Sequence, residues 1–303
     1  MKSTADLQRL ATEQVNPASA DLDLKSSLEL AQIINAEDSK VAAAVEGALP
    51  QIAQAIDWIA DALGRGGRLI YLGAGTSGRI AALDAAECPP TFNTDPKRVQ
   101  FVIAGGVKAL GAAVEANEDS ARLGEREIAK KKPGKKDVVV GIAASGRTPF
   151  TVAAVAYARR KGARTVAVVC NAGSVLEKAA EIAIVAEVGP EVVSGSTRMK
   201  TGTAQKMILN MLSTGAMTRR GYVYGNLMVN VHPKNAKLVE RGVGILQKAA
   251  GVSREEAVTA LKKARNSVPV ALVMLQARVS RAEAGRALKA TNGNVRQAIT
   301  KLR

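Results

Sequence analysis

Arg68-Leu69-Ile70-Tyr71-Leu72-Gly73-Ala74-Gly75-Thr76-Ser77-Gly78-Arg79 is the stretch that decides the fold. Arg68 to Leu72 is a short, mostly apolar run, the length of a buried strand, and glycines end it. Helical sequence follows from about Arg79 to Glu87, and Pro89-Pro90 predict its stop. A strand that feeds a helix through a Gly-rich loop opens a strand–helix–strand unit, and the pattern repeats downstream. Val99 to Ala104 reads as a strand, followed by Gly105-Gly106 and a helical stretch from about Val107 to Ala129. Asp137 to Ile142 is a third strand, followed by the loop 143–149 and a helix to Lys161. Arg164 to Cys170 and Ile182 to Val188 are the fourth and fifth. This alternation predicts an α/β fold: a three-layer sandwich with a mostly parallel five-stranded sheet covered by helices on both faces.

Outward from that block, residues 1–25 are polar, with turn signals such as Asn16-Pro17. They read as an arm, or as a segment that docks on a partner subunit. Helices follow to Gly64, with Ser26 or Ser27 as first cap and Ile52, Ile56, Ile59, Ala60 and Leu63 at helical spacing. A long amphipathic helix is expected from about Thr197 to Arg219. In the tail, Val252-Ser253-Arg254-Glu255-Glu256-Ala257 matches Val279-Ser280-Arg281-Ala282-Glu283-Ala284. Each copy opens on a Ser with Glu three residues later, the pattern of a capping box, so two small helical hairpins are expected. The division that follows is 1–57, arm and helices; 58–221, the α/β domain; 222–250, a connecting segment and helix; and 251–303, a small helical domain.

Composition narrows the function classes. Over 303 residues, 47% are hydrophobic and 3% aromatic. That is enough apolar sequence for a sizeable core, and too few rings for a platform that stacks nucleic-acid bases. The formal charge of +16 suits an anionic partner, but the charges are scattered. The one dense run, Lys130, Lys131, Lys132, Lys135 and Lys136, reads as a solvated helix end and turn. Cys88, Cys170 and the single His232 form no disulfide framework and no metal-ligand spacing. No leader-like or membrane-length apolar run is seen, so a cytoplasmic protein without nucleic acid, membrane, metal or cofactor partners is expected.

Two loops carry the chemistry. Gly73-x-Gly75-x-x-Gly78 matches a dinucleotide fingerprint in outline, but the second strand ends Val102-Ile103-Ala104-Gly105-Gly106, without the acidic residue that would hold a ribose. No Lys follows the last Gly, as a triphosphate-binding loop requires. The loop does offer Gly75, Thr76, Ser77 and free amides at a helix N-terminus, where the dipole favours a phosphate. The third strand ends in a similar device, Ser145, Gly146, Arg147 and Thr148, with Pro149 opening the next helix. Two hydroxyl-bearing turns at strand ends can converge on one small phosphorylated ligand. Two carboxylates also stand out. Glu87 sits near a helix C-terminus, where the dipole disfavours ionisation and suits a general acid. Glu118 lies on the expected helix after Gly105-Gly106. The spacing alone favours a solvated or paired surface charge for each and identifies neither as catalytic.

Long runs resemble one family. Thr12-Glu13-Gln14-x-Asn16-Pro17, the segment 69–79, Leu83-Asp84-Ala85-Ala86-Glu87-Cys88-Pro89-Pro90-Thr91-Phe92 and the segment 141–149 are similar to the N-acetylmuramic acid 6-phosphate etherases. So are Gly195-Ser196-Thr197-Arg198-Met199-Lys200, Gly202-Thr203-Ala204-Gln205-Lys206, Asn210-Met211-Leu212-Ser213-Thr214-Gly215 and Gly225-Asn226-Leu227-Met228-Val229. That family is part of the sugar isomerase-type phosphosugar-binding superfamily. The resemblance implies cleavage of the D-lactyl ether of the sugar to N-acetylglucosamine 6-phosphate and D-lactate, by a homodimer that needs no metal. It implies Glu87 as general acid and Glu118 as the second catalytic carboxylate. Two places depart from the family pattern: Ala116-Asn117 before Glu118, and Asn230-Val231-His232-Pro233-Lys234, where many relatives have an Asp and no His-Pro. The competing readings are a phosphosugar isomerase of the same fold and a non-enzymatic phosphosugar sensor.

Overall fold

A computed structural model describes residues 10–112, 117–231 and 236–303. His232, Pro233, Lys234 and Ala116 lie outside the described residues. The chain divides into two compact units, one of residues 1–85 and 97–213, the other of 86–96 and 214–303.

In the first unit, three short 3-10 turns, Ala11–Glu13, Pro17–Ser19 and Leu22–Leu24, precede helices α1 (Ser27–Asp38), α2 (Val41–Glu46) and α3 (Leu49–Gly64). Ser26 caps α1 through a full capping box with Glu29. The arm of residues 10–19 packs on its own chain: Ser19 Oγ donates to Val192 O at 2.7 Å, and Asn16 Nδ2 to Pro190 O at 3.2 Å.

The sheet comprises β1 (Leu69–Gly73), β2 (Val99–Ile103), β3 (Val138–Ile142), β4 (Arg164–Val169) and β5 (Ile182–Val185). Its order is β2-β1-β3-β4-β5, with every pairing parallel, as the alternation predicts. Successive side chains point to opposite faces. On one face Ile70, Leu72, Val139 and Val169 pack with Ile128 of α5 (Ala121–Lys130), Phe150 and Val155 of α6 (Pro149–Arg160) and Leu176 of α7 (Val175–Ala179). Tyr71 points the other way, toward α4 (Gly75–Phe92) and α8 (Lys200–Arg219), and α3 packs across β1, β3 and β5.

Two expectations need correction. Helix α4 runs on through Pro89 and Pro90 to Phe92. Each Pro lacks an N–H and sets its ring against the carbonyl four residues back, a cost that α4 bears in its closing turns. Glu87 is therefore inside the helix rather than at its end. Where a helix is expected from Val107, the structure has a 3-10 turn, Val107–Leu110; residues 113–116 of that stretch lie outside the described residues, and α5 opens at Ala121, capped by Ser120 Oγ accepting from Leu123 N–H at 3.2 Å. The Lys run behaves as expected: Lys130 ends α5 beside Glu127, and Arg68 donates to the carbonyls of Lys131 and Lys132.

The second unit takes the last turns of α4 and α8, the hairpin β6 (Val223–Tyr224) and β7 (Leu227–Met228), and helices α9 (Ala236–Ala250), α10 (Arg254–Lys263), α11 (Val268–Ala277), α12 (Arg281–Ala290) and α13 (Val295–Leu302). The repeat is two helical hairpins. Ser253 with Glu256 and Ser280 with Glu283 close capping boxes, and Leu261, Leu272, Leu288 and Val295 share one core. No helix among the described residues is long and apolar enough to cross a membrane.

Candidate active site

The chain leaves β1 for an edge on one side and returns at β3 on the other, so the strand order reverses between two neighbours. Gly73 pairs with Ile142 there. A parallel sheet opens a crevice at such a point, beyond the carboxyl ends of its strands. A cleft of about 360 Å³ lies there, lined by Gly75, Thr76, Ser77, Ser145, Arg147, Thr148 and Glu118.

Each wall has a local cause. A Cβ at position 78 would fall 2.5 Å from Ile103 Cγ1, so only Gly78 lets α4 start this close to the sheet. Helix α4 begins at Gly75, which puts Thr76, Ser77 and the first-turn amides, without partners in the helix itself, at the cleft. Across from them, Gly146 takes φ +64° and is buried under Ser174, whose Oγ would be 2.3 Å from an added Cβ. Gly146 shapes the turn, and its neighbours form the wall. Ser145 Oγ accepts from Arg147 N–H at 3.3 Å, which leaves its own O–H to donate outward. Thr148 precedes Pro149 at the start of α6 and makes no capping bond with its side chain.

Glu118 arrives by a turn. Its carbonyl accepts the Phe150 N–H at 3.0 Å, one of the α6 amides that the helix itself cannot satisfy. Close packing supports that bond: Gly124 of α5 leaves room for Phe150 O, which an added Cβ would meet at 2.1 Å. Asp119 lines the cleft beside Glu118.

Glu87 is not one of the lining residues. It is exposed on α4, in the part of that helix grouped with the second unit. One turn earlier Asp84 is buried and accepts from Tyr71 Oη at 2.9 Å, Asn210 Nδ2 at 2.8 Å and Ser213 Oγ at 3.0 Å. Burial pushes the Asp84 carboxyl up, against those three hydrogen bonds and the Lys206 charge. Asp84 thus ties α4 to β1 and α8. Cys170 is buried, and burial pushes its thiol up to about 12, which leaves it inert as a nucleophile.

Glu13, Asp119, Gly195 and Thr197 also line the cleft and were not singled out by loop chemistry. For Glu13, Gly195 and Thr197 the signal lies in the runs around Thr12-Glu13 and Gly195-Ser196-Thr197, which carry no spacing of their own; for Asp119 it is only its place beside Glu118.

Comparison with known proteins agrees with this geometry. Residues 51–159 match the model of the glucokinase regulatory protein N-terminal SIS domain, and residues 131–215 match the SIS domain model. A solved phosphoheptose isomerase from Francisella tularensis shares the fold at TM-score 0.50 and 19% identity, over 64% of this chain and 100% of that one. An N-acetylmuramic acid 6-phosphate etherase from Aeromonas hydrophila is 52% identical over 97% of this chain and 99% of its own length. One from Clostridium beijerinckii is 48% identical over 98% of both. Identity at that level from end to end, on a sheet whose switch point gathers two hydroxyl-bearing loops and a carboxylate, places the chain in the N-acetylmuramic acid 6-phosphate etherase family.

Proposed function

We propose that the protein cleaves the D-lactyl ether of N-acetylmuramic acid 6-phosphate, releasing D-lactate and N-acetylglucosamine 6-phosphate, in the catabolism and recycling of cell-wall amino sugars. The observation that carries the reading is the cleft itself. It sets phosphate-type donors (Thr76, Ser77, Ser145 and Thr148) around one space with Glu118 in its wall, in a chain about half identical to etherases throughout.

An ether is a poor electrophile, and direct displacement by water is slow. In the ring-opened sugar the aldehyde acidifies the carbon 2 proton. Glu118 takes that proton, and Glu87 protonates the lactyl oxygen as it leaves carbon 3, giving lactate and a carbon 2–carbon 3 double bond. Water then adds, hydroxyl to carbon 3 and proton to carbon 2. A positioned acid and a positioned base each contribute roughly 10²–10⁴-fold. Gripping the phosphate holds carbon 2 against the base. Support for Glu118 comes from its place in the cleft wall; support for Glu87 comes from the run Leu83 to Phe92 shared with the family. The enzyme acts as a cytoplasmic homodimer on this reading.

The test is lactate release from the lactyl sugar phosphate, followed beside carbon 2 proton exchange in heavy water. Glu118→Ala is expected to lose both. Glu87→Ala is expected to lose lactate release and keep exchange. Turnover of the sugar phosphate between aldose and ketose without lactate, or tight binding with no turnover, would replace this reading by the isomerase or the sensor.

A further inference from the structure

The cleft has an acidic wall that the proposed chemistry does not use. Glu13 closes the first 3-10 turn and lines the cleft with Gly195 and Thr197. Its own side chain is exposed, yet the residues around it are tied down. Thr12 is 1% exposed, and its hydroxyl oxygen accepts from Asn171 Nδ2 at 3.4 Å. The same amide nitrogen donates to Ala144 O at 3.1 Å, next to Ser145. Ser194 Oγ donates to the carbonyls of Glu13 and Gln14 at 3.2 and 3.3 Å. Asn16, 6% exposed, donates to the buried carboxylate of Glu37 at 2.9 Å. These bonds offset the entropy lost in ordering the backbone, so the arm is fixed on both sides of Glu13. Gly195 faces the side chain: a Cβ there would sit 3.6 Å from Glu13 Oε2.

An ionised carboxylate accepts hydrogen bonds and donates none. It repels a phosphate. In a cleft that takes a phosphosugar, the ligand groups it can meet are therefore hydroxyls and the acetamido N–H. We infer that Glu13 is a specificity-determining residue that accepts hydrogen bonds from hydroxyl or amide N–H groups of the bound sugar, while the loops at Ser77 and Ser145 hold the phosphate. This inference rests on reading the cleft as a phosphosugar site. The arm then belongs to the site: it adds a third carboxylate, beside Glu118 and Asp119, to a pocket whose two helix starts supply donors.

Calorimetric titration of the full chain with N-acetylglucosamine 6-phosphate and, separately, with inorganic phosphate tests it. A hydrogen bond to a charged group sets the expected loss: Glu13→Ala should bind the sugar phosphate about 10–100-fold more weakly and inorganic phosphate as the parent does. Glu13→Gln, which keeps a carbonyl acceptor, should recover part of the loss. Unchanged sugar phosphate affinity in Glu13→Ala overturns the inference. So does a parallel loss of both ligands, which is the mark of a displaced arm, and so does intact affinity with a collapsed kcat. Failure of the parent itself to bind the sugar phosphate would remove the reading beneath it, a result distinct from the other three.

Discussion

Replacing Glu37 with Gln strips the countercharge from a buried ammonium. The side chains of Glu37 and Lys200 are 4% and 2% exposed, with Lys200 Nζ at 2.6 Å from Glu37 Oε2. Asn16 donates to the same oxygen, and Lys40 to the other. Burial by itself would raise the Glu37 carboxyl. The hydrogen bonds from Lys200, Lys40 and Asn16 outweigh it and hold the group at about 2. Against an ordinary value of about 4.3, that is roughly 2 units, or about 3 kcal/mol of stability at neutral pH. Breaking a buried ion pair costs about 3–5 kcal/mol by a separate route, the orphaned charge left behind. Urea unfolding of Glu37→Gln at neutral pH should lose that much, and its melting point should fall by roughly 10 °C. The sign with pH is fixed, because the folded value lies below the unfolded one. The stabilisation is full above about 4.3 and is lost as pH falls through about 2, so parent and variant should converge in acid. Pairing Glu37→Leu with Lys200→Met should restore most of the loss, since apolar residues of similar size substitute well for a buried pair. A Glu37→Gln protein within about 1 kcal/mol of the parent, or a gap that stays constant into acid, would refute the reasoning.

Three further outcomes follow from the site. Ser77→Ala with Ser145→Ala should weaken the 6-phosphate ligand by about 10²-fold or more and leave the unphosphorylated sugar unaffected, as two lost hydrogen bonds to a charged group require; calorimetry reads both. Gly124→Ala should push α5 off Phe150, destabilise the protein by about 1–3 kcal/mol and slow lactate release more than the stability loss explains, because Glu118 hangs on the Phe150 amide. Light scattering should give a dimer; a fully active monomer at high dilution would contradict the proposed assembly.

The sheet was legible because its strands are buried on both faces and read as unbroken apolar runs between glycine loops. The helix starts at Thr76 and Thr148 were legible because turn glycines and a first-turn proline mark them. Two stretches misled for local reasons. Pro89-Pro90 is a strong stop signal, but a proline in the last turns forfeits few ladder bonds, and α4 absorbs the pair. Val107 onward has helical composition, yet Gly106 at φ +67° and the bonds from Arg79 to the carbonyls of Ala109 and Ala112 hold residues 107–112 as a 3-10 turn and bend. Glu13 was invisible as a site residue for a different reason. Its position depends on bonds that its neighbours Thr12 and Asn16 make to Asn171 and Glu37, distant in the chain, and no local period records such contacts.

The bond from the Phe150 amide to the Glu118 carbonyl also gives Glu118 a mechanical role. Thr148 stands at the start of α6, and Phe150, two residues on, gives its amide to the Glu118 carbonyl. One helix start therefore holds both a proposed phosphate ligand and the backbone of the proposed base. A phosphate drawn onto Ser145 and Thr148 is drawn onto the element that fixes Glu118, so interactions with a remote, unreacting group help to set the distance between carboxylate and carbon 2. Binding energy used in this way lowers the barrier only if the element is stiff. Here stiffness has a visible source: Gly124 lets α5 close against the Phe150 carbonyl, and Gly141 leaves the gap that Val155 of α6 fills against β3. The glycines that let these elements approach so closely are thus part of how the proposed site reaches its substrate with the base already aimed.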